Sequence, residues 1–314
     1  MCIRDRRQMC IRDRTKQLYS NRYIAENSET VIYTAFNSDG FSLGTGDMNL
    51  SGQDYANWAW KGGGSASTNE NGTIDSSVSA NTTAGFSIVG WAGTGSNVTV
   101  GHGLSQAPEL IINKSRTLNT SSSQWAVQSI LWNSASDTNI LYLNGTAAQS
   151  DDTNVFQAAP TSTVFSPQGG GWAGIGASGE DYIAYCFHSV EGYSKVSTYT
   201  GNSSADGSFV YTGFLPAFIF IKRTSSAGSN SYIVDNKRIG YNSFNTSTDN
   251  GSNKYLWPDG NNAEGNGTTA KGTGIDLLSN GFKFRGNSSD YNASGNTYLY
   301  LAFAESPFKT SNAR

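Results

Sequence analysis

The chain has 314 residues, of which 14% are charged and 12% aromatic, with 36 glycines and only 6 prolines. Typical soluble proteins carry about 25% charged residues, and here Asn, Ser, Thr and Gly make up the difference. The aromatic content excludes a disordered chain, and the low proline content excludes a collagen-like one. The longest apolar run, residues 215–221, is far shorter than the roughly 20 residues of a transmembrane helix. We therefore expect a soluble, loop-rich β protein without membrane insertion.

The first fourteen residues contain the hexapeptide MCIRDR twice, at 1–6 and 9–14. This duplication resembles translated sequencing-adaptor read-through in reading frames from metagenomic assemblies. We therefore expect residues 1–14 to be artefactual and disordered. Without their five Arg and two Asp, Lys+Arg falls from 21 to 16 and Asp+Glu from 24 to 22, which leaves a net charge of −6. This charge, without a basic stripe, argues against nucleic acid as a partner.

Three segments share a pattern that begins with Ser-Gly and continues in alternation. They are SGQDYANWAW (51–60), SGEDYIAYCF (178–187) and SGNTYLYLAF (294–303). In an extended strand, alternate residues point to opposite faces. The pairs Trp58/Trp60, Tyr185/Phe187 and Leu301/Phe303 share one face, and Ala59, Cys186 and Ala302 keep the other face small. The pattern predicts central strands between two packed layers.

A second repeated pattern precedes two of these strands. Residues 85–114 match residues 192–222, and Pro108 and Pro216 each stand six residues before Lys114 and Lys222. The period is about 110 residues. The first copy has only its second half, so we expect a reading frame that is truncated at its N-terminus.

The repeats predict a domain organisation along the chain. It comprises an artefactual stretch at 1–14, the C-terminal half of a truncated β module at 15–62, a flexible linker at 63–84, β modules at 85–191 and 192–309, and a tail at 310–314. Short β-rich runs separated by Gly, Asn and Ser clusters predict antiparallel strands. The fold class is therefore all-β, with tandem antiparallel, jelly-roll-like β-sandwich modules. A β-solenoid is the second choice, although its repeat is much shorter.

Several longer motifs carry a resemblance to a known family. They are GFSIVGWAGTGSNVTVGHGLSQAPELIINKS, YIAYCFHSVEGYSKVSTYTGN, FVYTGFLPAFIFIKRT and YLAFAESPFKTSNAR. Across residues 30–314, the chain resembles a repeated module of unknown function that is common in structural proteins of marine bacteriophages. The resemblance implies a virion location, in a tail fibre or receptor-binding appendage, for which glycan binding is often supposed. It brings no catalytic residues.

The sequence predicts no catalytic site. The pair Glu180-Asp181 is replaced by other residues in the matching copies, which argues against the paired carboxylates of a glycoside hydrolase. We interpret His102 as a turn residue, His188 as a residue at the rim of a module, and Cys186 as a small buried thiol. The pairs Asp151-Asp152 and Asp235-Asn236 match no spaced calcium loop. No metal and no cofactor are expected.

Sugar binding uses aromatic faces surrounded by polar side chains. Three tryptophans stand beside polar loop residues and outside the repeated core positions, and we expect them to be exposed ligand contacts. They are Trp132, Trp172 and Trp257. Four others occupy repeat positions and are predicted to be core residues: Trp58, Trp60, Trp91 and Trp125.

We therefore expect a non-enzymatic virion protein, such as a tail fibre, that attaches to a host-surface glycan or protein receptor. Its other expected partners are virion proteins and two further copies in a homotrimer. Two alternatives remain open at this point. One is a structural decoration or spacer module without a ligand, and the other is a glycan-degrading tail enzyme.

Overall fold

The structure is a computed structural model that describes residues 9–10, 16–28, 32–37, 39–46, 48–132, 138–170, 174–239, 255–262, 264 and 274–308. Within this part of the chain almost all regular structure is antiparallel β-sheet, with only two four-residue helices. The prediction of an all-β, β-sandwich fold is confirmed. No described helix is long and apolar enough to cross a membrane.

The N-terminal strands form two small sheets. The strands are β1 (Met9–Cys10), β2 (Lys16–Leu18), β3 (Asn27–Ser28), β4 (Tyr33–Phe36) and β5 (Phe41–Leu43). Strands β1, β2 and β3 form one antiparallel sheet, and β4 and β5 form a hairpin. Of residues 1–14 only Met9 and Cys10 are described, and their pairing with β2 differs from the expected disorder at these two positions.

The next eleven strands build the first sandwich. They are β6 (Ser67–Asn69), β7 (Ser76–Asn81), β8 (Phe86–Ala92), β9 (Val100–Gly101), β10 (Leu110–Ser115), β11 (Ala126–Ser129), β12 (Asn139–Tyr142), β13 (Ser150–Asp151), β14 (Phe156–Ala158), β15 (Val164–Pro167) and β16 (Asp181–Phe187). Eight of them form one sheet in the order β13-β12-β11-β10-β16-β8-β7-β6. The other three, in the order β14-β15-β9, form an outer sheet that packs on it.

The remaining elements build the second sandwich. They are β17 (Ser194–Thr200), β18 (Phe209–Tyr211), β19 (Pro216–Arg223), β20 (Tyr232–Asp235), α1 (Asn236–Ile239), β21 (Ile275–Leu278), β22 (Gly281–Phe284), α2 (Ser289–Asn292) and β23 (Thr297–Ala304). A four-stranded sheet, β17-β23-β19-β20, packs on an outer sheet, β18-β22-β21. The first sandwich has the same order in β8-β16-β10-β11 and β9-β15-β14. Matching sequence segments therefore occupy matching strands.

Strands β16 and β23, the last strand of each sandwich, are buried on both faces. On β16, Tyr182, Ala184 and Cys186 face the core of the first sandwich, and the alternate residues face the second sandwich. The Cys186 side chain is fully buried, and burial raises the pKa of its thiol to about 12. Strand β23 alternates in the same way between two apolar clusters. The prediction of central strands between packed layers is confirmed for both.

The two sandwiches pack together through one apolar cluster, which we call the central cluster. It joins the eight-stranded sheet to the four-stranded sheet and also includes side chains from the N-terminal part of the chain. The Phe303 ring lies 5.1 Å from Trp60 and 6.3 Å from Phe187, measured between ring centroids. The Trp58 ring lies 5.5 Å from that of Phe218. The sheets are therefore stacked in four layers, with the central cluster in the middle.

The expectation of a flexible linker at 63–84 is wrong, because β6 and β7 lie within it. Strand β7 pairs along β8, from Asn81 opposite Phe86 to Ser77 opposite Gly90. Composition alone does not exclude such strands, because strands at and next to the edge of a sheet are held by backbone hydrogen bonds and tolerate polar side chains on an exposed face. These two strands extend the large sheet beyond the predicted module.

The prediction of a strand at 51–60 is also wrong, because these residues form no strand and pair with none of the strands that the structure describes. Trp58 and Trp60 nevertheless pack on the central cluster, as the alternation predicts. Strand geometry depends on neighbouring backbones that supply hydrogen bonds. The alternating side chains therefore hold this segment against the central cluster, but they do not by themselves make it a strand.

A buried lysine joins the N-terminal part of the chain to the first sandwich. The Lys114 amine donates hydrogen bonds to the Tyr23 carbonyl at 3.2 Å and to Ser123 Oγ at 2.6 Å. Beside it, Arg116 Nε donates to a Glu26 carboxylate oxygen at 2.8 Å, and the Glu26 amide donates to the Arg116 carbonyl. Burial lowers the pKa of Lys114 to about 7.

The matching lysine of the second sandwich makes the equivalent contact with the first sandwich. The Lys222 amine donates to the Gly145 carbonyl at 2.6 Å and to Ser231 Oγ at 3.0 Å. The Gln149 amide donates to the Thr224 carbonyl at 2.8 Å. Each lysine thus bonds a serine nine residues later and a main-chain carbonyl of the preceding copy.

Replacement of Phe303 by alanine should destabilise the whole chain, because this ring lies where three parts of the chain meet. We expect Phe303→Ala to lower the free energy of unfolding by roughly 3–5 kcal/mol, the usual cost of removing a buried phenylalanine. Urea denaturation measures the change. The control, Phe308→Ala, alters a 55% exposed ring and should cost no more than about 0.5 kcal/mol. Equal effects of the two variants would contradict the central role of Phe303.

The lowered pKa of Lys114 predicts a pH dependence of stability. Between about pH 7 and the ordinary lysine pKa near 10.4, the unfolded chain binds a proton at this residue that the folded protein lacks. Stability therefore rises with pH over this window. In Lys114→Met this part of the rise should be lost, as measured by urea midpoints from pH 7 to 10. Lys237→Met, which alters a lysine that is 80% exposed, should keep it, and an unchanged slope in Lys114→Met would contradict the assignment.

Candidate functional site

Two exposed aromatic side chains stand next to each other on the outer sheet of the second sandwich. Tyr211 is 63% exposed and Phe209 is 46% exposed, and both lie on β18. Val210 between them is buried in the core of the sandwich. Because alternate residues of a strand share a face, both rings lie on the outer face of the sheet. We call this pair the aromatic platform.

The neighbouring strand shapes the floor of the platform. Strand β18 is an edge strand that pairs with β22, with Tyr211 opposite Gly281 and Phe209 opposite Lys283. A Cβ atom at Gly281 would stand 3.0 Å from two atoms of the Phe209 ring, so this ring lies close over the glycine. On the inner side, Tyr300 Oη donates a hydrogen bond to the Tyr211 carbonyl at 3.3 Å. These contacts fix the strand and leave the outer faces of the rings open.

A row of charged side chains borders the platform. The Lys283 amine lies 2.5 Å from Asp206 Oδ1, and Arg285 Nε lies 2.5 Å from Asp276 Oδ2. The Lys283 hydrogen bond and charge lower the pKa of the Asp206 carboxyl. Two cations and two carboxylates leave the border without net charge. They offer donors and acceptors that suit hydroxyl groups and give no preference for an anion or a cation.

The matching strand of the first sandwich carries no platform, because β9 is covered. Val100 and Gly101 are buried, and Ile74 pairs with Val100 in a parallel bridge. Ser76 Oγ donates a hydrogen bond to the Gly101 carbonyl at 2.8 Å, and the Asn69 side chain lies against the same glycine. Residues of the expected linker thus occupy the face that is open in the second sandwich.

Of the three tryptophans predicted as ligand contacts, the structure describes Trp132 and Trp257, which lie in different apolar clusters. Trp132 is 2% exposed and packs in the central cluster, so the expectation that it is exposed is wrong. Trp257 is half-buried and packs edge-on against Tyr255 at 4.7 Å, with Tyr232 at 6.2 Å. Trp172 lies outside the described residues. Polar neighbours in sequence did not indicate exposure, because loops of both sandwiches fold back onto apolar clusters.

The four tryptophans that were predicted to be core residues all pack in or against an apolar cluster. Trp91 and Trp125 are buried, as predicted, and Trp58 and Trp60 are half-buried against the central cluster. The sequence also contained a signal for the platform. Phe209-Val-Tyr211 alternates between two aromatic residues and one aliphatic residue, which is typical of an edge strand with one face open.

The two histidines lie inside loops. His102 Nδ1 accepts a hydrogen bond from the Leu104 amide at 3.1 Å, and Nε2 lies 3.1 Å from the Thr161 carbonyl, in agreement with a turn residue. Burial lowers the pKa of His102. His188, which was predicted to lie at the rim of a module, follows β16 and is buried, with Nδ1 2.7 Å from Gln106 Nε2. Among the described residues, no group of three or more His, Cys, Asp or Glu is placed to hold a metal ion.

A cavity of about 430 Å³ lies on the eight-stranded sheet and is a second candidate site. Its lining includes Ser77, Gly90, Ala92, Arg116 and Asp181. The Arg116 guanidinium is already held by Glu26. Small side chains form much of the floor, and no exposed large aromatic residue lies on it. The aromatic platform therefore remains the stronger candidate for ligand binding.

The platform rings should contribute little to stability. We expect Phe209→Ala and Tyr211→Ala each to change the free energy of unfolding by no more than about 0.5 kcal/mol, as for other surface residues. Val210→Ala, on the buried face of the same strand, should lower it by roughly 0.5–3 kcal/mol. Urea denaturation of the three variants measures the difference. A large loss in Tyr211→Ala would show that the ring has a structural role instead.

Comparisons with known proteins add a family but no relative of known activity. Residues 6–307 match the model of a protein family described as a domain of unknown function, DUF7483. No curated protein matches the chain. No solved structure matches it either.

Proposed function

The chain belongs to the DUF7483 family, whose description names no activity, and we propose that it is a non-enzymatic virion attachment protein that binds host-surface glycans. The observation that carries the glycan-binding part is the aromatic platform of Phe209 and Tyr211. The virion location, in a tail fibre or similar appendage, rests on the resemblance of the repeated motifs to bacteriophage structural proteins.

The platform suits sugar rings for three physical reasons. Two adjacent exposed aromatic faces offer flat apolar area to the C–H patches of a sugar. The Asp206, Lys283 and Arg285 side chains at the border suit hydroxyl groups with donors and acceptors. The site lies on an outer sheet, where a long polysaccharide can pass without entering a pocket. Exposed apolar area of this kind marks interaction sites on proteins in general.

The balanced charges at the border favour uncharged sugar residues. Binding through rings and hydroxyl groups depends little on salt, whereas ion pairs between exposed groups weaken strongly as ionic strength rises. We therefore propose neutral segments of a bacterial surface polysaccharide as the ligand. A protein receptor is the alternative partner on the same face.

Substitution of both platform rings should weaken attachment to the glycan. We expect the full chain to bind immobilised bacterial lipopolysaccharides and capsular polysaccharides, and Phe209→Ala/Tyr211→Ala to weaken that binding by roughly tenfold or more. Binding should change little between about 50 and 500 mM salt. The control is Phe36→Ala, which removes a 47% exposed ring on β4, away from the platform.

The same assay separates the alternatives. Binding that survives the double substitution would place the ligand elsewhere, and no binding to any bacterial polysaccharide would favour a decoration or spacer protein. Release of reducing sugar from the bound polysaccharide would favour a glycan-degrading enzyme. The proposed homotrimer is tested separately by light scattering after size exclusion, where a monomer would contradict it.

A further inference from the structure

An ion pair in the second sandwich is almost completely shielded from solvent. Lys222 Nζ lies 3.8 Å from Asp259 Oδ2, and the two side chains are 1% and 0% exposed. In each of the other ion pairs between described residues, at least one side chain is 14% exposed or more. Burial of two charges is unfavourable unless close contacts compensate both groups.

The carboxyl group of Asp259 is only partly compensated. Its Oδ2 accepts a hydrogen bond from the Ser231 amide at 2.8 Å. Its Oδ1 is buried, and no described residue donates a hydrogen bond to it. The Lys222 amine donates to the Gly145 carbonyl at 2.6 Å and to Ser231 Oγ at 3.0 Å, whereas its 3.8 Å distance to Oδ2 is longer than a hydrogen bond. The amine and the carboxyl group therefore lie side by side without a close salt bridge.

Burial favours the uncharged forms of both groups. It lowers the pKa of Lys222 and raises the pKa of Asp259, and the attraction between the two charges opposes both shifts without reversing them. Transfer of one proton from the ammonium group to the carboxylate gives an amine and a carboxylic acid. An amine with a free electron pair is a nucleophile, and an uncharged carboxyl carbon accepts a nucleophile more readily than a carboxylate does. The site thus places the two reactive forms next to each other.

We propose that Lys222 and Asp259 form an intramolecular isopeptide bond. Lys222 Nζ attacks the Asp259 carboxyl carbon, which is bonded to Oδ2 and so lies at most one bond length beyond 3.8 Å. A C–N bond forms and a C–O bond breaks. One proton of the amine leaves with the carboxyl hydroxyl group as water, so the step needs no other reactant. Ser231 contacts both groups, through its hydroxyl and its amide, and holds them together.

Two properties of the site favour the amide over the separate groups. Groups that are held in the right geometry within one molecule react with effective concentrations of about 10⁵ M or more. The site also excludes water, because both side chains are almost completely buried, and this limits hydrolysis of the bond. The amide nitrogen keeps one N–H group, which suits the Gly145 carbonyl that Lys222 already contacts.

The bond lies where three parts of the chain meet. Lys222 contacts Gly145 of the first sandwich, and Pro258, next to Asp259, accepts a hydrogen bond from Ser20 Oγ at 2.6 Å. A covalent link from β19 to this loop fixes the loop at its contact with the N-terminal part of the chain. Cross-links of this kind stabilise a fold by restricting the unfolded chain. The link forms whether or not the aromatic platform binds a glycan.

The first sandwich contains a matched lysine that lacks the second group. Lys114 is also fully buried and donates a hydrogen bond to Ser123, nine residues later. Among the described residues, no carboxylate lies within ion-pair distance of the Lys114 amine, and burial alone accounts for its lowered pKa. We therefore expect Lys222 to react and Lys114 to remain a free amine.

Mass spectrometry of the full chain tests for the bond. We expect the intact protein to be lighter than its sequence by the mass of one water molecule. After digestion with trypsin, we expect a branched peptide in which residues 196–223 are joined to residues 255–271, because trypsin does not cleave after an acylated lysine. Fragmentation of this peptide should place the link between Lys222 and Asp259.

Two substitutions and a matched control assign the link to this pair. Lys222→Met and Asp259→Ala should each have the full mass of their sequence and give no branched peptide. Lys114→Met, at the matching buried position, should keep both the loss of water and the branched peptide. If a substitution in the buried pair prevents folding, the branched peptide of the unsubstituted chain still decides the question.

Three results would overturn the proposal. The first is an intact mass equal to that of the sequence, with separate peptides 196–222 and 255–271. The second is loss of water within a linear peptide 255–271, which would show that Asp259 has closed on the amide of Gly260 as a succinimide. The third is a branched peptide that joins Lys222 to a different carboxyl group. Loss of glycan binding in the platform variants is independent of all three.

Discussion

Burial of both faces of β16 and β23 sets the order of the layers in this molecule. A strand with apolar residues on two faces needs a packed layer on each side, and here each strand has its own outer sheet on one side and the central cluster on the other. The sandwiches are therefore joined through their cores rather than through a tether. Small residues such as Cys186 and Ala302 face the outer sheets, and larger side chains fill the gap between sandwiches.

This layer order separates the residues that stabilise the fold from those of the proposed binding face. Outer sheets lie farthest from the central cluster, so their exposed faces are free to differ between copies. In the first sandwich that face is covered by β6, β7 and the residues between them, and in the second sandwich it presents Phe209 and Tyr211. A family built in this way can keep one internal framework and place a binding face on any one of its outer sheets.

The alternation of side chains within strands could be predicted from the sequence. Which segments pair with each other, and which loop residues are covered by distant parts of the chain, could not. The small residues opposite large aromatic ones at Cys186 and Ala302 predicted two packed faces, because that pattern depends only on local geometry. Strands β6 and β7 were missed because a Ser- and Asn-rich composition does not show which segments pair through their backbones. Trp132 was misplaced because burial of a loop residue depends on which distant surface folds over it. Phe209 and Tyr211 carried a readable signal, since an aliphatic residue between two aromatic ones marks an open edge.

The buried lysines have a consequence for how such chains diversify. Lys114 and Lys222 bond main-chain carbonyls of the preceding copy, at Tyr23 and Gly145, and the side chains at those two positions have nothing in common. A hydrogen bond to a main-chain carbonyl depends on the path of the backbone and not on which side chain the residue carries. Copies that keep this path remain compatible neighbours after their loop sequences have diverged. Exchange of whole copies between related genes would then keep the lysine contact between neighbouring copies and change the exposed face of the outer sheet.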